Sequence, residues 1–268
     1  MVSATPCRRC TSVPPPPSRP PLSFAPHSVR ALPVKGASAV APSRAGLLVV
    51  EDDLGIYRLR GTTATLWAGP DLHPALADLE GVTANDTGDL VWALSEEHGT
   101  LVEIHVGARG PRVRRTAVLA RPGSTKNKGF EGIAWLAPRL SPTRRAALVA
   151  VHEHKPRRVC LFDLRTLEMT HDLQLPREAR RVLDDLADVA VDPVSGLLVL
   201  LSEESRRLAV MRLSDDGLHL VQSHDLPLED GERPEGLAFL TPTRLAVVTE
   251  GPARLLTLRV TRPPARRV

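Results

Sequence analysis

The chain has 268 residues, of which 42% are hydrophobic and only 3% aromatic, so it can bury one sizeable core built mainly from Leu, Val and Ala. Its net charge of +4 comes from its start, because the first 50 residues hold six of the 35 basic residues and none of the 31 acidic ones. The slightly acidic remainder does not require a nucleic-acid partner, and a nucleic-acid role through the basic start of the chain is the least favoured alternative. Three cysteines exclude a disulfide framework. The sequence contains no run of about 18 apolar residues, so no membrane span is predicted.

Residues 1–27 are rich in Pro and Ser, a composition that cannot bury a core, so we predict a disordered tail that is dispensable for folding. The tail is also rich in Arg and free of acidic residues, as transit peptides are, although a mis-assigned start explains it equally well. It lacks the apolar centre of a secretory signal. This predicts a cytoplasmic protein, with an extracytoplasmic one as the alternative if the start is mis-assigned.

From residue 28 to residue 268, short alternating runs joined by turn residues predict one domain made of β-hairpins. Each hairpin pairs an apolar run with a second alternating run across a short turn. The five copies read GLLVVEDDLGIYRLRG, DLVWALSEEHGTLVEIHVG, AALVAVHEHKPRRVCLFDL, GLLVLLSEESRRLAVMRLSDDG and RLAVVTEGPARLLTLRV. Helix signals are few, and the two short candidates, residues 70–80 and 177–186, lie between hairpins. The chain is therefore predicted to be all-β.

A short acidic motif precedes four of the hairpins and defines the repeat. It reads LEGVT, FEGIA, ADVAV and PEGLA, with carboxylates on Glu80, Glu131, Asp188 and Glu235. These carboxylates are spaced 51, 57 and 47 residues apart, a period typical of radial or solenoid repeats. In the first copy, Ser38 takes the place of the carboxylate. Five units of three or four strands predict a five-bladed β-propeller, with six blades as the alternative.

A propeller has to pair its two chain ends, because an open ring would leave exposed strand edges. We therefore expect the C-terminal run LLTLRV, residues 255–260, to lie beside an early strand from residues 28–41.

A second acidic position follows each copy of the motif, at the turn that ends the next strand. These residues are Glu51, Glu96, Glu153, Glu203 and Glu250. We expect most of them to be solvated or to accept hydrogen bonds between blades, and one or two to form a second ring at the channel. Lys126 and Lys128, shortly before Glu131, are either a solvated basic loop or a contact for an anionic ligand.

The first set of carboxylates predicts a cation site, because equivalent positions of a propeller surround one axis. Four like charges facing one another repel, and burial raises carboxylate pKa values, so the ring stays ionised only with a cation or abundant water. Calcium suits such a ring, since it accepts about six to eight oxygen ligands at flexible geometry, whereas Mg²⁺ retains its waters. The alternative is that these carboxylates only cap turns or face a water-filled channel.

The motifs DLEGVT, NKGFEGIAW, DLADVAVDPVSGLLVLLSEESRRLAVM and RPEGLAF resemble those of the SdiA-regulated (YjiK-like) β-propeller family. More distantly they are similar to NHL-repeat and phytase-like propellers. The resemblance covers about residues 35–262 and implies a five-bladed propeller with bound calcium and no established reaction. It implies that Glu80, Glu131, Asp188 and Glu235 face the metal. Two departures affect the ligand set: Ser38 replaces a carboxylate, and Asp188 is followed by Val189 rather than by Gly.

Two functions from different classes agree with these residues. The first is a monomeric calcium-binding propeller that binds a protein or a small molecule at one face. The second is a calcium-dependent hydrolase, a phosphoesterase or a lactonase, acting at the channel mouth. The sequence favours the first, because no base recurs beside the carboxylates, and an activity screen with and without calcium would separate the two.

Overall fold

The computed structural model describes residues 22–52, 54–96, 99–119, 129–153 and 155–262. In these residues the chain forms twenty strands, arranged as five antiparallel sheets of four strands each. This is a five-bladed β-propeller, so the predicted all-β fold is confirmed with five blades, not six. In the part of the chain that is described, no helix is long and apolar enough to cross a membrane.

Four blades are formed by consecutive strands. Blade 1 contains β2 (Ala39–Ser43), β3 (Gly46–Glu51), β4 (Gly55–Arg60) and β5 (Thr63–Ala68). Blade 2 contains β6 (Leu79–Ala84), β7 (Leu90–Ser95), β8 (Thr100–Gly107) and β9 (Gly110–Val118). Blade 3 contains β10 (Phe130–Leu136), β11 (Ala147–His152), β12 (Arg158–Asp163) and β13 (Met169–Gln174). Blade 4 contains β14 (Asp188–Val191), β15 (Leu198–Ser202), β16 (Arg207–Ser214) and β17 (Gly217–Asp225).

The fifth blade joins the two ends of the chain. It contains β18 (Pro234–Thr241), β19 (Arg244–Thr249), β20 (Arg254–Thr261) and, at its outer edge, the first strand β1 (Ser23–Ala31). The first and last strands pair from Ser23 opposite Thr261 to Ala31 opposite Arg254. The predicted pairing of the chain ends is therefore confirmed.

The apolar residues of each sheet lie on both of its faces, because every blade packs between two others. In β15, Leu198 and Leu200 belong to the core between blades 3 and 4, whereas Val199 and Leu201 belong to the core between blades 4 and 5. Five such apolar cores separate the five blades. The outermost strand β13 instead alternates between half-buried and exposed residues, as a strand with one packed face does.

The predicted helices are reduced to single turns of 3₁₀ helix. One turn, Pro74–Leu76, lies in the candidate segment 70–80, and the other, Ala179–Arg181, lies in the candidate segment 177–186. Both segments connect one blade to the next, and each places a fully buried side chain, Leu76 or Ala179, in a core between blades.

The predicted boundary between tail and propeller at residues 27/28 is wrong, because β1 begins at Ser23. Leu22, directly before it, is fully buried in the core between blades 4 and 5, and its carbonyl oxygen accepts a hydrogen bond from the Gln222 side chain. The strand lies at a sheet edge and has a bulge between Pro26 and Ser28, where a proline is tolerated. The predicted disorder of residues 1–21 concerns residues outside those described.

A chain that starts at Ser28 should be less stable than one that starts at Leu22. The shorter chain loses the buried Leu22 side chain and half of the pairing with β20, and removal of one buried leucine costs at least about 2 kcal/mol. Urea unfolding of the two chains measures the difference. Leu22→Ala in the full chain should reproduce part of the loss, and equal unfolding midpoints for both truncated chains would show that β1 does not hold the ring closed.

Candidate metal centre

Three of the predicted carboxylates lie on β-bulges at the start of their strands. In blade 2, Leu79 pairs with Ser95 and Gly81 with Leu94, which leaves Glu80 as the extra residue between them. The same shift leaves Glu131 unpaired in blade 3 and Glu235 unpaired in blade 5. A bulged residue leaves the regular ladder and turns its side chain away from it. All three glutamates are half-buried at the same end of the innermost strands.

The glycine after each of these glutamates allows the innermost strands to approach closely. A Cβ atom on Gly236 would lie 2.6 Å from the Cα atom of Ala39 in blade 1. A Cβ atom on Gly81 would lie 3.2 Å from the backbone nitrogen of Ile133 in blade 3. A side chain does not fit at Gly236 and would be tightly packed at Gly81, so the E-G pair in the motif has a steric cause.

The fourth predicted carboxylate, Asp188, occupies a different place. It pairs with Leu201 without a register shift, which makes it equivalent to the glycines of the other blades and not to their glutamates. Its Oδ2 atom accepts a 2.6 Å hydrogen bond from the Leu237 backbone N–H, and its Oδ1 atom a 2.7 Å bond from that of Val189. Asp188 is buried, and its hydrogen bond with the Leu237 N–H joins blade 4 to blade 5. Burial raises its pKa well above the usual value, although these two hydrogen bonds oppose the shift.

Blade 1 supplies its carboxylate from a residue that the sequence analysis did not single out. Ser38 lies where the other blades have a bulged glutamate, and its hydroxyl donates a hydrogen bond to Asp52. The charge of Asp52 raises the pKa values of both Glu80 and Glu235, which places its carboxylate near the neighbouring blades 2 and 5. Asp52 therefore completes the acidic end of the channel in blade 1.

The strand register shows that Glu51 is not the blade 1 member of the second acidic series. Glu96, Glu153, Glu203 and Glu250 each follow the last residue of a second strand, at Ser95, His152, Ser202 and Thr249. Glu51 is itself that last residue and is buried, so Asp52, not Glu51, holds the equivalent position. Two tandem acids, Glu51 and Asp52, cannot be told apart without the register.

The members of the second series have different surroundings. Glu96 contributes to the acidic cluster described below, and the charge of Glu153 raises the pKa of Glu131. Glu203 and Glu250 form ion pairs with Arg233, whose Nε atom lies 3.7 Å from Glu203 Oε1. Lys126 and Lys128, the predicted contacts for an anion, lie outside the described residues.

Glu80, Glu96 and Glu131 form one compact acidic cluster. One oxygen from each carboxylate can be chosen so that all three lie within 4.8 Å of one another. Burial, followed by the charge of Asp52, raises the pKa of Glu80 to about 10. Burial, followed by the charge of Glu96, raises the pKa of Glu131 to about 9, and a hydrogen bond with Glu96 adds to this effect. A hydrogen bond between two carboxyl groups requires a proton on one of them, so the contact with Glu96 favours the protonated form of Glu131.

The carboxylates of this cluster could provide three of the oxygen ligands of a Ca²⁺ ion. Two oxygens bound to one Ca²⁺ at about 2.3–2.6 Å lie no more than about 5 Å apart, which the observed limit of 4.8 Å satisfies. The donors are carboxylates, the hard ligands that Ca²⁺ prefers. Glu80, Glu96 and Glu131 thus fit a calcium ion, and bound water or the neighbouring carboxylates could supply further ligands.

Comparison with known proteins identifies the family. The sequence pattern of the SdiA-regulated family matches residues 71–259, and the chain belongs to this family. No curated protein matches the chain. A glutaminyl cyclase from Myxococcus xanthus is similar in structure, with a TM-score of 0.62 and 11% sequence identity over 92% of this chain and 100% of the other. A PQQ-bound aldose sugar dehydrogenase from Streptomyces coelicolor has a TM-score of 0.56 and 13% identity over 90% and 100%. At these identities the likeness shows the fold alone.

Gly132→Ala should destabilise the protein, because the added Cβ atom would clash with Asp188 Oδ1 and would lie 2.5 Å from Asp188 Cα. Overpacking of this kind costs about 1–3 kcal/mol, and here it also displaces the carboxylate that binds the Leu237 N–H. Thermal unfolding measures the loss. Gly36→Ala is the matched control, since its Cβ would make an ordinary 3.5 Å contact, and equal losses in both variants would contradict the position assigned to Asp188.

Without calcium, the free energy of unfolding should fall as the pH rises from about 5 to about 9. Burial raises the pKa of Glu80 to about 10, of Glu131 to about 9 and of Glu235 to about 8, from an ordinary value of 4.5. Between the ordinary and the raised pKa values the folded protein binds more protons than the unfolded chain, so a rising pH favours unfolding. Calorimetry in the presence of a chelator measures this slope.

Glu80→Gln removes the group with the highest of these pKa values and should flatten the slope, whereas Glu168→Gln, at an exposed position of blade 3, should leave it unchanged. The free energy of unfolding of the calcium-free wild type could instead stay constant or rise over this pH range. That result would show that the carboxyl groups are not held in the protonated form.

Proposed function

We propose that this protein is a calcium-binding β-propeller that binds a protein or a small molecule at one propeller face. The observation that carries the proposal is the approach of Glu80, Glu96 and Glu131 to within 4.8 Å at the end of the channel. The bulges of blades 2 and 3 hold two of these glutamates there, and Glu96 follows the neighbouring strand of blade 2. The carboxyl groups of Asp52 and Glu235, from blades 1 and 5, also raise the pKa of Glu80.

The electrostatics favour a bound cation over an empty acidic channel. The pKa values of Glu80 and Glu131 are raised to about 10 and about 9, which means that ionising these groups without a counterion is unfavourable. A divalent cation would compensate the negative charge that protons neutralise in its absence. It would also join blades 2 and 3, whose carboxylates form the cluster, so its role in this proposal is to stabilise the ring.

Calcium should raise the melting temperature of the chelator-treated protein. A ligand that binds only the folded state, at a hundredfold excess over its dissociation constant, stabilises it by about 2.7 kcal/mol, which shifts the melting temperature of a domain of this size by a few degrees. Glu131→Gln keeps the shape and removes one carboxylate that could bind calcium, so this variant should respond less to calcium. Without calcium it should be no less stable than the wild type, because the neutral amide replaces a carboxyl group whose pKa is raised to about 9 and which is therefore protonated near neutral pH.

The matched control is Glu168→Gln, which makes the same substitution at an exposed site on blade 3 and should respond to calcium as the wild type does. Identical melting curves in chelator and in excess calcium, with no metal retained through purification, would overturn the proposal.

The hydrolase alternative is tested on the same variants. Phosphoester and lactone substrates are incubated with the wild type, with and without calcium, and we expect no calcium-dependent turnover. Turnover that requires calcium and disappears in Glu131→Gln, but not in Glu168→Gln, would replace the binding function with a metal-dependent hydrolase acting at the channel mouth.

A further inference from the structure

The connection between β10 and β11 differs from its counterparts in other blades. It spans residues 137–146 and contains the basic sequence RLSPTRR, whereas the same connection spans residues 44–45 in blade 1 and 242–243 in blade 5. It lies at the end of β10, and Glu131 lies at the start of that strand. The basic connection and the acidic cluster are therefore at opposite ends of blade 3.

This connection is fixed to the propeller by its own hydrogen bonds and by its neighbours. Backbone bonds of 2.9 and 3.0 Å join the N–H groups of Leu140 and Ser141 to the carbonyl of Ala137, and Ser141 is buried. Leu140 packs against the core between blades 3 and 4. Arg139 contacts Asp86 through Nη1 at 2.8 Å and donates through Nη2 to the Pro193 carbonyl at 2.9 Å.

Between this connection and blade 4 lies a cavity of about 420 Å³, a volume within the range of small-molecule sites. Arg144 enters it from the connection and Arg212 from the end of β16. In the described part of the chain, neither guanidinium has a hydrogen bond or an ion pair, although Arg212 is half-buried. Asp215 also lines the cavity, so its unpaired side chains carry two positive charges and one negative charge.

We propose that this cavity binds a small organic molecule that carries a phosphate group. Guanidinium groups bind phosphate oxygens through paired, charge-assisted hydrogen bonds, and two of them from different blades suit a dianion. Leu140 and Leu213, which are partly buried beside the cavity, supply apolar surface for the organic part of the ligand. The site is independent of the proposed calcium centre, because no residue is common to both.

The test uses the full chain in the presence of a chelator, so that phosphate cannot bind through calcium. Isothermal titration with phenyl phosphate should show binding that weakens as salt increases. Inorganic phosphate should bind more weakly because it lacks the apolar part, and phenol should not bind measurably because it lacks the charge. Arg144→Gln and Arg212→Gln should each reduce the affinity for phenyl phosphate by about tenfold or more, as expected for one lost contact to a charged group.

Arg109→Gln, at the exposed turn between β8 and β9 of blade 2, removes the same charge elsewhere and should leave the affinity unchanged. Arg144 is exposed, so its variant tests the site even if the Arg212 variant does not fold. No binding of phenyl phosphate at millimolar concentration would overturn the proposal. So would unchanged affinity in the Arg144 variant, or adsorption to anionic lipid vesicles without binding of the soluble ester.

Discussion

The packing of apolar sheet faces against one another is the interaction on which this structure depends. Each blade has two apolar faces, and each face has to pack against a neighbouring blade. In an open row of five blades, the first and the last blade would each leave one apolar face exposed. The ring supplies the missing neighbours, and the pairing of β1 with β20 places the first strand in the last blade. With only 3% aromatic residues, the cores between blades consist mainly of Leu, Val and Ala and derive their stability from closely packed, continuous contact.

Closure of five blades brings the innermost strands close together, and this closeness shapes the acidic end of the channel. The innermost strands approach one another so closely that a Cβ atom does not fit at Gly132 or Gly236 and would be tightly packed at Gly81. Directly before each glycine the strand bulges, and the extra residue is a glutamate that cannot take part in the ladder. The backbone geometry that lets the ring close therefore also brings the carboxyl groups of Glu80, Glu131 and Glu235 to one end of the channel. Their pKa values are raised because they are buried there close to other carboxyl groups.

The fold could be predicted from sequence because a repeated alternation of apolar residues leaves few architectures open. The site could be predicted only in part, because a bulge depends on register. The motifs that contain Glu80 and Asp188 look alike in the sequence. They differ in that Asp188 is followed by Val189, whereas Glu80 is followed by a glycine, and in the structure Asp188 pairs regularly with Leu201. Asp52 was missed for the same reason, since its neighbour Glu51 is also acidic. The strand that begins at Ser23 was hidden by its prolines, which an edge strand tolerates.

The repeated backbone does not give a symmetric charge distribution at the channel. Burial raises the pKa of Glu235 less, to about 8, than those of Glu80 and Glu131, because Arg233 lies beside it and lowers its pKa. Arg233 also pairs with Glu203 and Glu250, so its exposed guanidinium already compensates negative charge on the side of blades 4 and 5. Asp188 does not join the ring, and its carboxylate is used for backbone hydrogen bonds. The cation that we propose would therefore compensate most negative charge on the side of blades 2 and 3, where Glu80, Glu96 and Glu131 lie together.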